Sequence, residues 1–250
     1  MRRIFRWLVL GVLGVVVGVI AYEGITLLRV YWLRTSNPSS TSLIDARVRE
    51  ARNKGQQPRR EQVWVPLEKI SPNLQRAVIA GEDTNFVTHR GFDYEAIQKV
   101  YEQAQREAAR EAKREGENDD WLPNLPEFKR GGSTISQQLA KNLYLSSHRS
   151  FVRKGQEAMV TIMLERVLTK RRILEIYLNV IEWGDGIYGA EAASIRYFRK
   201  PASALNASEA AYLSAMIPNP RTVFNPQVNP RRVARRQRII LRGMPYVKLP

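Results

Sequence analysis

A long apolar segment near the N-terminus constrains this chain more than any other feature. Residues 7–28 are almost entirely apolar or glycine, and Glu23 is the one charged residue among them. At helical rise, about 22 residues extend about 33 Å, enough to cross the hydrocarbon core of a bilayer. A cleaved signal peptide has a shorter apolar region that ends at a small-x-small site, and residues 20–23 offer no such site. The segment therefore predicts one transmembrane helix.

The charges that flank this segment predict its orientation. Arginines precede it within residues 1–6, whereas Arg29 and Arg34 follow it. Basic residues accumulate on the cytoplasmic side of membrane helices, so a cytoplasmic N-terminus is favoured. The rest of the chain would then lie outside the cytoplasm, and nucleic acid is not an expected partner.

Length and composition limit the function classes. A chain of 250 residues can build one substantial domain. The formal charge of +16 predicts an anionic partner, and anionic lipid, pyrophosphate substrates and nucleic acid all meet that description. The absence of cysteine excludes disulfides, thiolate metal sites and a cysteine nucleophile.

The remaining chain divides into two parts. Residues 29–62 form a predicted linker and membrane-proximal segment, because a Ser/Asn/Pro-rich stretch at 35–41 is followed by a charged stretch at 45–61. Residues 63–250 form the predicted folded domain. Within it, residues 94–128 are rich in Ala, Glu and Arg, with helical spacing in the first part.

Helical signals dominate the predicted domain. Ser71 followed by Pro72 predicts a helix start, and Gly81 predicts its end. Further predicted helix starts lie at Ser133, Ser150, Thr169, Asn206 and Asn229. Alternating strand patterns are scarce, so the predicted fold class is mostly α. The last helix is rich in arginines that we expect to bind anionic lipid, namely Arg231, Arg232, Arg235, Arg236 and Arg238.

Three blocks of polar residues carry the chemistry. They are GEDTNFVTHRGFD at 81–93, GGSTISQQLAKN at 131–142 and RKGQE at 153–157. Glu82 follows a predicted helix end and precedes a turn-rich stretch, which can place a carboxylate in a cleft, and Glu157 closes the third block. The ordinary alternatives are a carboxylate that caps a loop and a surface ion pair of little energetic weight.

The second block combines features that suit an anionic ligand. Gly131 and Gly132 allow a ligand to approach the backbone, and the following helix start has free N–H groups. Gln137, Gln138 and Lys141 have the spacing that places amide donors and an ammonium on one helical face. An ordinary solvated face would explain the apolar residues of this helix but not the Gly-Gly-Ser-Thr and Gln-Gln pairs.

Arginines accompany the third block. Arg149 precedes the predicted helix, and Arg153 lies on it four residues before Glu157. The guanidinium fork contacts phosphate oxygens in pairs, so these residues suit a pyrophosphate. His89 and His148 have no carboxylate at ligand spacing, so the sequence predicts no metal site.

The three blocks, in this order, closely resemble the signature motifs of glycosyltransferase family 51, the peptidoglycan glycosyltransferases, and above all its monofunctional biosynthetic transglycosylases. The resemblance is dense over residues 66–220. It implies a lysozyme-like glycosyltransferase domain. Ser136 stands where the family usually has threonine, which keeps the hydroxyl. The 94–128 segment is longer than the family pattern, and in the family this region belongs to a lipid-facing lobe beside the groove.

The resemblance also implies residue roles. Glu82 corresponds to the general base that removes the proton from the 4-hydroxyl of the acceptor sugar, and Glu157 to the second acidic residue near the leaving group. Lys141, Arg149 and Arg153 would hold the pyrophosphate of the donor. Further substrate contacts are expected from Ser133, Thr134, Gln137 and Gln138, and supporting roles from Asp83, Phe86, His89 and Asn142.

By the same resemblance, the growing lipid-linked glycan is the donor, lipid II the acceptor and undecaprenyl pyrophosphate the leaving group. An α-linked donor and a β-1,4 product imply inversion. No cofactor is expected, although the resemblance allows Mg²⁺ or Mn²⁺. The implied setting is the bacterial inner membrane with a periplasmic catalytic domain, and the implied partners are membrane lipid and cell wall synthases or division proteins.

Two other functions share parts of this pattern. A lytic transglycosylase or glycosidase that acts on finished peptidoglycan also uses carboxylates, but does not need several cations around a pyrophosphate. A non-catalytic membrane scaffold would use the basic surface only to bind lipid. The chain contains no S-x-x-K motif, and its length leaves no room for a penicillin-binding domain, so we expect it to polymerise glycan but not to cross-link peptides.

Overall fold

The computed structural model describes residues 2–98, 101–102, 105–106, 133–145 and 150–250, and within these residues the chain is mostly helical. The predicted fold class is thereby confirmed. The helices are α1 (Arg2–Trp32), α2 (Ser42–Asn53), α3 (Pro72–Glu82), α4 (Ile135–Tyr144), α5 (Phe151–Val167), α6 (Lys170–Val180), α7 (Ala190–Phe198), α8 (Ala207–Met216) and α9 (Pro230–Gly243). Short 3-10 turns lie at Leu67–Lys69, Ala202–Ala204 and Met244–Tyr246.

Helix α1 contains the predicted transmembrane segment. The stretch Phe5–Trp32 is long and apolar enough to cross a membrane. It contains an 18-residue window with a mean hydropathy of 2.3, and none of that window is buried in the protein. The helix is longer at both ends than the sequence predicts. Val30, near its C-terminal end, and Leu33, just after it, are buried in the core of the domain. Arg172 Nε donates to the Leu33 carbonyl at 2.7 Å, so the end of the apolar helix is joined directly to the domain.

Helix α2 lies within the predicted membrane-proximal segment and packs on the domain. Its start is capped by Thr41, whose hydroxyl accepts a hydrogen bond from the Ile44 N–H, and Ile44 is buried. Arg47 donates to both carboxylate oxygens of Glu182, at 3.1 Å from Nε and 2.8 Å from Nη2. Part of the 29–62 segment is therefore tied to the domain, and the division at residue 63 remains a prediction.

Helices α3, α8 and α9 pack against one another next to Glu82. The sequence predicts that Gly81 ends α3, but the helix continues through Glu82, so this prediction is wrong. The glycine has a packing role, because an added Cβ would lie 2.7 Å from Ser214 Oγ and 3.1 Å from Ile240 Cδ1. A residue without a side chain lets α8 and α9 approach the end of α3, where Glu82 is placed.

Most of the predicted capping residues are confirmed. The side chains of Ser71, Ser150, Thr169 and Asn206 each accept a hydrogen bond from a backbone N–H in the first turn of their helix. Two helices differ: Asn229 is the N-cap of α9 but its side chain makes no capping bond, and α4 is capped by Thr134 and not by Ser133. Thr134 Oγ1 accepts from the Gln137 N–H at 3.2 Å, and Gln137 Oε1 accepts from the Thr134 N–H at 2.9 Å. This reciprocal capping box fixes the start of the helix that carries the second block.

A small sheet lies beside the helices. It contains β1 (Glu61–Gln62), β2 (Glu182–Gly184) and β3 (Ile187–Tyr188), in the order β1-β3-β2. Strand β1 is parallel to β3 and β2 is antiparallel to it. Strands of two or three residues are too short to show alternation in the sequence, which is why the sheet was not predicted.

Candidate active site

Glu82 lies at the C-terminal end of α3 and lines an open cavity of about 170 Å³. Its side chain is only 8% exposed. The cavity is lined by Ala80, Gly81, Glu82, Asp83, Thr84, Asp93, Ala96, Ser133 and Thr134, and we refer to it as the Glu82 cavity. The end of α3 and the start of α4 thus bring the first two sequence blocks together.

Both carboxylate oxygens of Glu82 accept hydrogen bonds. Arg236 Nη2 donates to Oε1 at 2.8 Å and also to the Gly81 carbonyl at 2.8 Å. Gln138 Nε2 donates to Oε2 at 2.9 Å. Arg236 comes from α9, outside the three blocks, so the carboxylate is held between the second block and the arginine-rich helix.

Burial raises the pKa of the Glu82 carboxyl above its ordinary value, although Arg236 and the hydrogen bond from Gln138 oppose that rise. A raised pKa suits a general base, because proton transfer is most efficient when the pKa of the base lies near the working pH. Arg236 and Gln138 favour the ionised form that a base requires. The site therefore contains a buried carboxylate whose ionised form is stabilised by two donors.

Asp83 joins the first block to the start of α4. Its carboxylate accepts hydrogen bonds from the Ile135 N–H at 2.9 Å and from His89 Nε2 at 2.8 Å. The Gly91 N–H donates to His89 Nδ1 at 3.1 Å, so the proton of the ring lies on Nε2. A carboxylate at a helix N-terminus is favourably placed in the field of the helix. Asp83 and His89 therefore hold the loop that follows Glu82 against α4.

The other residues predicted around the cavity divide between its lining and its framework. Ser133 and Thr134 line the cavity, and Thr134 Oγ1 also donates to the Gly91 carbonyl at 2.6 Å. Gln137 is buried and its amide oxygen belongs to the α4 cap, so a substrate contact would have to use its amide hydrogens. Phe86 is fully buried, with Lys170 Nζ 4.5 Å from the centre of its ring.

Glu157, on α5, is 4% exposed and is paired with two cations. Arg153 Nη1 donates to Oε2 at 3.0 Å, and Lys154 Nζ donates to Oε1. Arg153 Nε is buried and has no hydrogen-bond partner among the described residues. Lys141 is exposed and Asn142 half-buried on α4. Arg149, Gly131 and Gly132 lie outside the described residues, as does most of the 94–128 segment.

Three residues make contacts around these carboxylates, directly or through Gln138, that the sequence does not predict. Arg236 was predicted to bind lipid, yet it contacts Glu82. A helical projection would have placed it correctly, because Val233 and Ile240 are buried and Arg236 lies between them on the same face. Tyr177 is fully buried, and its hydroxyl donates to Gln138 Oε1 at 2.7 Å. Lys154 carried no signal beyond its adjacency to Arg153.

A larger cavity, of about 420 Å³, lies between α2 and the turn that joins β2 to β3. Its cations are largely matched by carboxylates. Hydrogen bonds from Lys54, Arg221 and Arg47 lower the pKa of Glu50 to about 2, and Arg221 also pairs with Asp185 at 3.2 Å. The candidate site is instead the smaller Glu82 cavity, because residues of the first two sequence blocks line it.

The described residues give no support to a bound divalent cation. Among them, no group of three or more His, Asp or Glu side chains could hold a metal. The carboxylates of Glu82, Asp83 and Glu157 are instead occupied by hydrogen bonds from arginine, lysine, glutamine, histidine and backbone groups. This donor set does not fit Mg²⁺ or Mn²⁺, which prefer open clusters of oxygen ligands.

Known proteins are similar in sequence to this chain along most or all of its length. A family model described as transglycosylase matches residues 49–116 and 121–245. A biosynthetic peptidoglycan transglycosylase of Azoarcus sp. (strain BH72) is 43% identical over 251 residues, covering 100% of both chains. The protein of the same description from Thiobacillus denitrificans is 44% identical over 250 residues, again covering 100% of both. The one from Chromobacterium violaceum is 48% identical over 223 residues, covering 88% of each.

Proposed function

The chain belongs to the transglycosylase family, and on this premise we propose that it is a peptidoglycan glycosyltransferase of cell wall biosynthesis. We propose further that it polymerises lipid II into β-1,4-linked glycan strands and releases undecaprenyl pyrophosphate. The observation that carries the proposal is the Glu82 carboxylate, buried at a cavity and held by Arg236 and Gln138.

In the proposed reaction, Glu82 accepts the proton of the acceptor 4-hydroxyl. The hydroxyl oxygen forms a bond to the anomeric carbon of the donor, and the bond from that carbon to the pyrophosphate oxygen breaks. The electron pair leaves with the pyrophosphate, and one in-line displacement inverts the anomeric configuration. Because Arg236 and Gln138 stabilise the ionised carboxylate, Glu82 is ready to accept the proton before the substrate arrives.

The pyrophosphate would be held by Lys141, Arg149 and Arg153. Arg153 Nε is buried and has no hydrogen-bond partner among the described residues. It supports this assignment, since a phosphate oxygen can accept a hydrogen bond from it. Glu157 is paired with Arg153 and Lys154, so in this proposal it orients the cations near the leaving group. An oriented guanidinium loses less conformational freedom when it binds the phosphate.

The apolar helix and its flanking charges support a location as well. We propose a single pass through the inner membrane with the N-terminus in the cytoplasm and the catalytic domain in the periplasm, where synthases and division proteins acting on the same strand are the expected partners.

The chain has no cysteine, so a single cysteine introduced at the exposed Val228 tests this orientation. Labelling of that cysteine only after the cytoplasmic membrane is broken would contradict this orientation.

The experiment that tests the function is an assay of the purified full-length protein with lipid II. We expect glycan strands of many disaccharides, resolved by length on a gel. Soluble sugar released from finished peptidoglycan, without polymerisation, would favour a lytic transglycosylase or glycosidase. A folded protein with neither activity would favour the membrane scaffold.

The donor site can be tested by inhibitor binding. Arg153→Ala is expected to weaken the binding of a phosphoglycolipid that mimics the lipid-linked donor by about 1.5–3 kcal/mol, the free energy of a lost charge-assisted contact. Glu157 keeps its ion pair with Lys154 in this variant, which limits the damage to the fold. Arg166→Ala, at an exposed position of the same helix, is the matched control. Equal affinity of wild type and Arg153→Ala by titration would move the donor site elsewhere.

A further inference from the structure

Tyr177 lies behind Glu82 and is linked to it by hydrogen bonds through Gln138. The tyrosine is fully buried on α6, and its hydroxyl donates to Gln138 Oε1 at 2.7 Å. The other end of the same amide donates from Nε2 to Glu82 Oε2 at 2.9 Å. The three side chains form a line of hydrogen bonds that starts in the core and ends on the proposed base.

The direction of this line is set by chemistry. A glutamine amide has one accepting end and one donating end, and reversing it would place the amide oxygen against the Glu82 carboxylate. A hydroxyl that donates at one end and a carboxylate that accepts at the other both favour the observed orientation. Burial, together with the nearby carboxylates of Glu82 and Asp83, raises the pKa of Tyr177, so its hydroxyl keeps its proton and remains a donor.

The opposite oxygen of Glu82 is held independently. Arg236 donates to Oε1 at 2.8 Å from α9, whereas Tyr177 and Gln138 belong to α6 and α4. The carboxylate is thereby fixed from two sides by separate helices. A fixed orientation is important for a general base, because a catalytic side chain is held in its productive geometry by hydrogen bonds from the residues that surround it.

We propose that Tyr177 is a positioning residue for Glu82. The Tyr177 hydroxyl orients the Gln138 amide, and the NH₂ group of that amide then holds the Glu82 carboxylate in its ionised form and in a fixed orientation. The inference rests on the proposed function, in which Glu82 is the base. It adds a residue of α6, outside the three sequence blocks, to the set on which the reaction depends.

The test is Tyr177→Phe, which removes only the hydroxyl. We expect the rate of lipid II polymerisation to fall about 5- to 30-fold. The acid limb of the pH profile of kcat/KM should also move to higher pH, because a less well oriented Gln138 no longer favours the ionised carboxylate. Tyr197→Phe is the matched control, since it removes a tyrosine hydroxyl that donates to the Trp183 carbonyl at 3.0 Å. The control should leave the acid limb in place.

A second variant separates this role from a general loss of stability. Gln138→Met removes the amide from both partners and should move the acid limb in the same direction. Tyr177→Phe added to Gln138→Met should then cause no further movement, because the hydroxyl acts through the amide. An unmoved limb in a folded Tyr177→Phe protein, or a full additional movement in the double variant, would overturn the proposal.

The titration of Glu82 can also be followed without turnover. Carbon NMR of the labelled Glu82 carboxyl in the full-length protein in detergent should report a higher pKa in Tyr177→Phe than in wild type. This measurement decides the inference even if the wild-type protein does not polymerise lipid II, an outcome that would count against the proposed function alone. An unchanged Glu82 pKa would overturn the positioning role.

Discussion

Glu82→Gln is expected to abolish measurable glycan polymerisation while leaving the fold intact. An amide of the same shape cannot accept the proton of the acceptor hydroxyl, and removal of a general base costs about 10²–10⁴-fold in rate. Arg236 can still donate to the amide oxygen at position 82. Gln138 would then face an NH₂ group, so about one hydrogen bond, worth about 1 kcal/mol, is lost.

The measurement is the initial rate of glycan synthesis from lipid II, together with the thermal unfolding of the same sample. Glu182→Gln is the matched control, because Glu182 is also a buried carboxylate that receives hydrogen bonds from an arginine, Arg47. It lies on β2, away from the Glu82 cavity. The control should lower stability and retain turnover. Near-normal synthesis by a folded Glu82→Gln protein would place the base at another residue.

The local signals of the sequence were enough to predict most of the helices, although not Ser42–Asn53, which lies in the predicted linker and membrane-proximal segment. Side chains such as Ser150 and Asn206 bond to N–H groups three residues away, so the capping pattern is already present in a short window of sequence. The long apolar helix at the N-terminus followed from composition and length alone. The three-dimensional arrangement of the site could not be predicted from the sequence. It depends on contacts between residues more than 100 positions apart in the chain, such as Glu82 and Arg236.

Gly81 illustrates the same limit. A glycine near the end of a helical pattern ordinarily predicts termination, since glycine is common just past the last turn. Here the helix continues, and the glycine is explained by the close approach of Ser214 and Ile240 from α8 and α9. Only the packing of these helices reveals that reason, and the same packing brings Arg236 to Glu82.

Arg236→Met is expected to have the other large effect, because it leaves the buried Glu82 carboxylate without its cation. Burial already raises the pKa of Glu82, and Arg236 is the first of the groups that oppose this rise. Without the arginine, the pKa of Glu82 should rise further, so less of the carboxylate is ionised at neutral pH. We expect a rate loss of about tenfold for each pH unit by which the new pKa exceeds the assay pH, with recovery as the pH is raised.

Stability should change with pH in the opposite direction. A group whose pKa in the folded protein lies above its unfolded value stabilises the fold only while it is protonated, and Glu82 has an ordinary value of 4.5. Near pH 4.5 and below, Arg236→Met should therefore be close to wild type in its free energy of unfolding. As the pH rises from there through the raised folded pKa, the penalty should grow towards the 3–5 kcal/mol, roughly, that follows the loss of one partner of a buried ion pair.

These opposite trends distinguish the loss of a buried charge partner from simple damage to α9. Arg242→Met, at an exposed position of the same helix and outside the set expected to bind lipid, should change neither profile. Arg236→Lys keeps the positive charge but has a single ammonium in place of the guanidinium fork, so its activity should fall between those of wild type and Arg236→Met. Rate and unfolding free energy, measured over the same pH range, provide the comparison. If Arg236→Met loses activity equally at every pH and its stability does not depend on pH, then Arg236 does not control the ionisation of Glu82. Its role would then be structural, through the hydrogen bond to the Gly81 carbonyl.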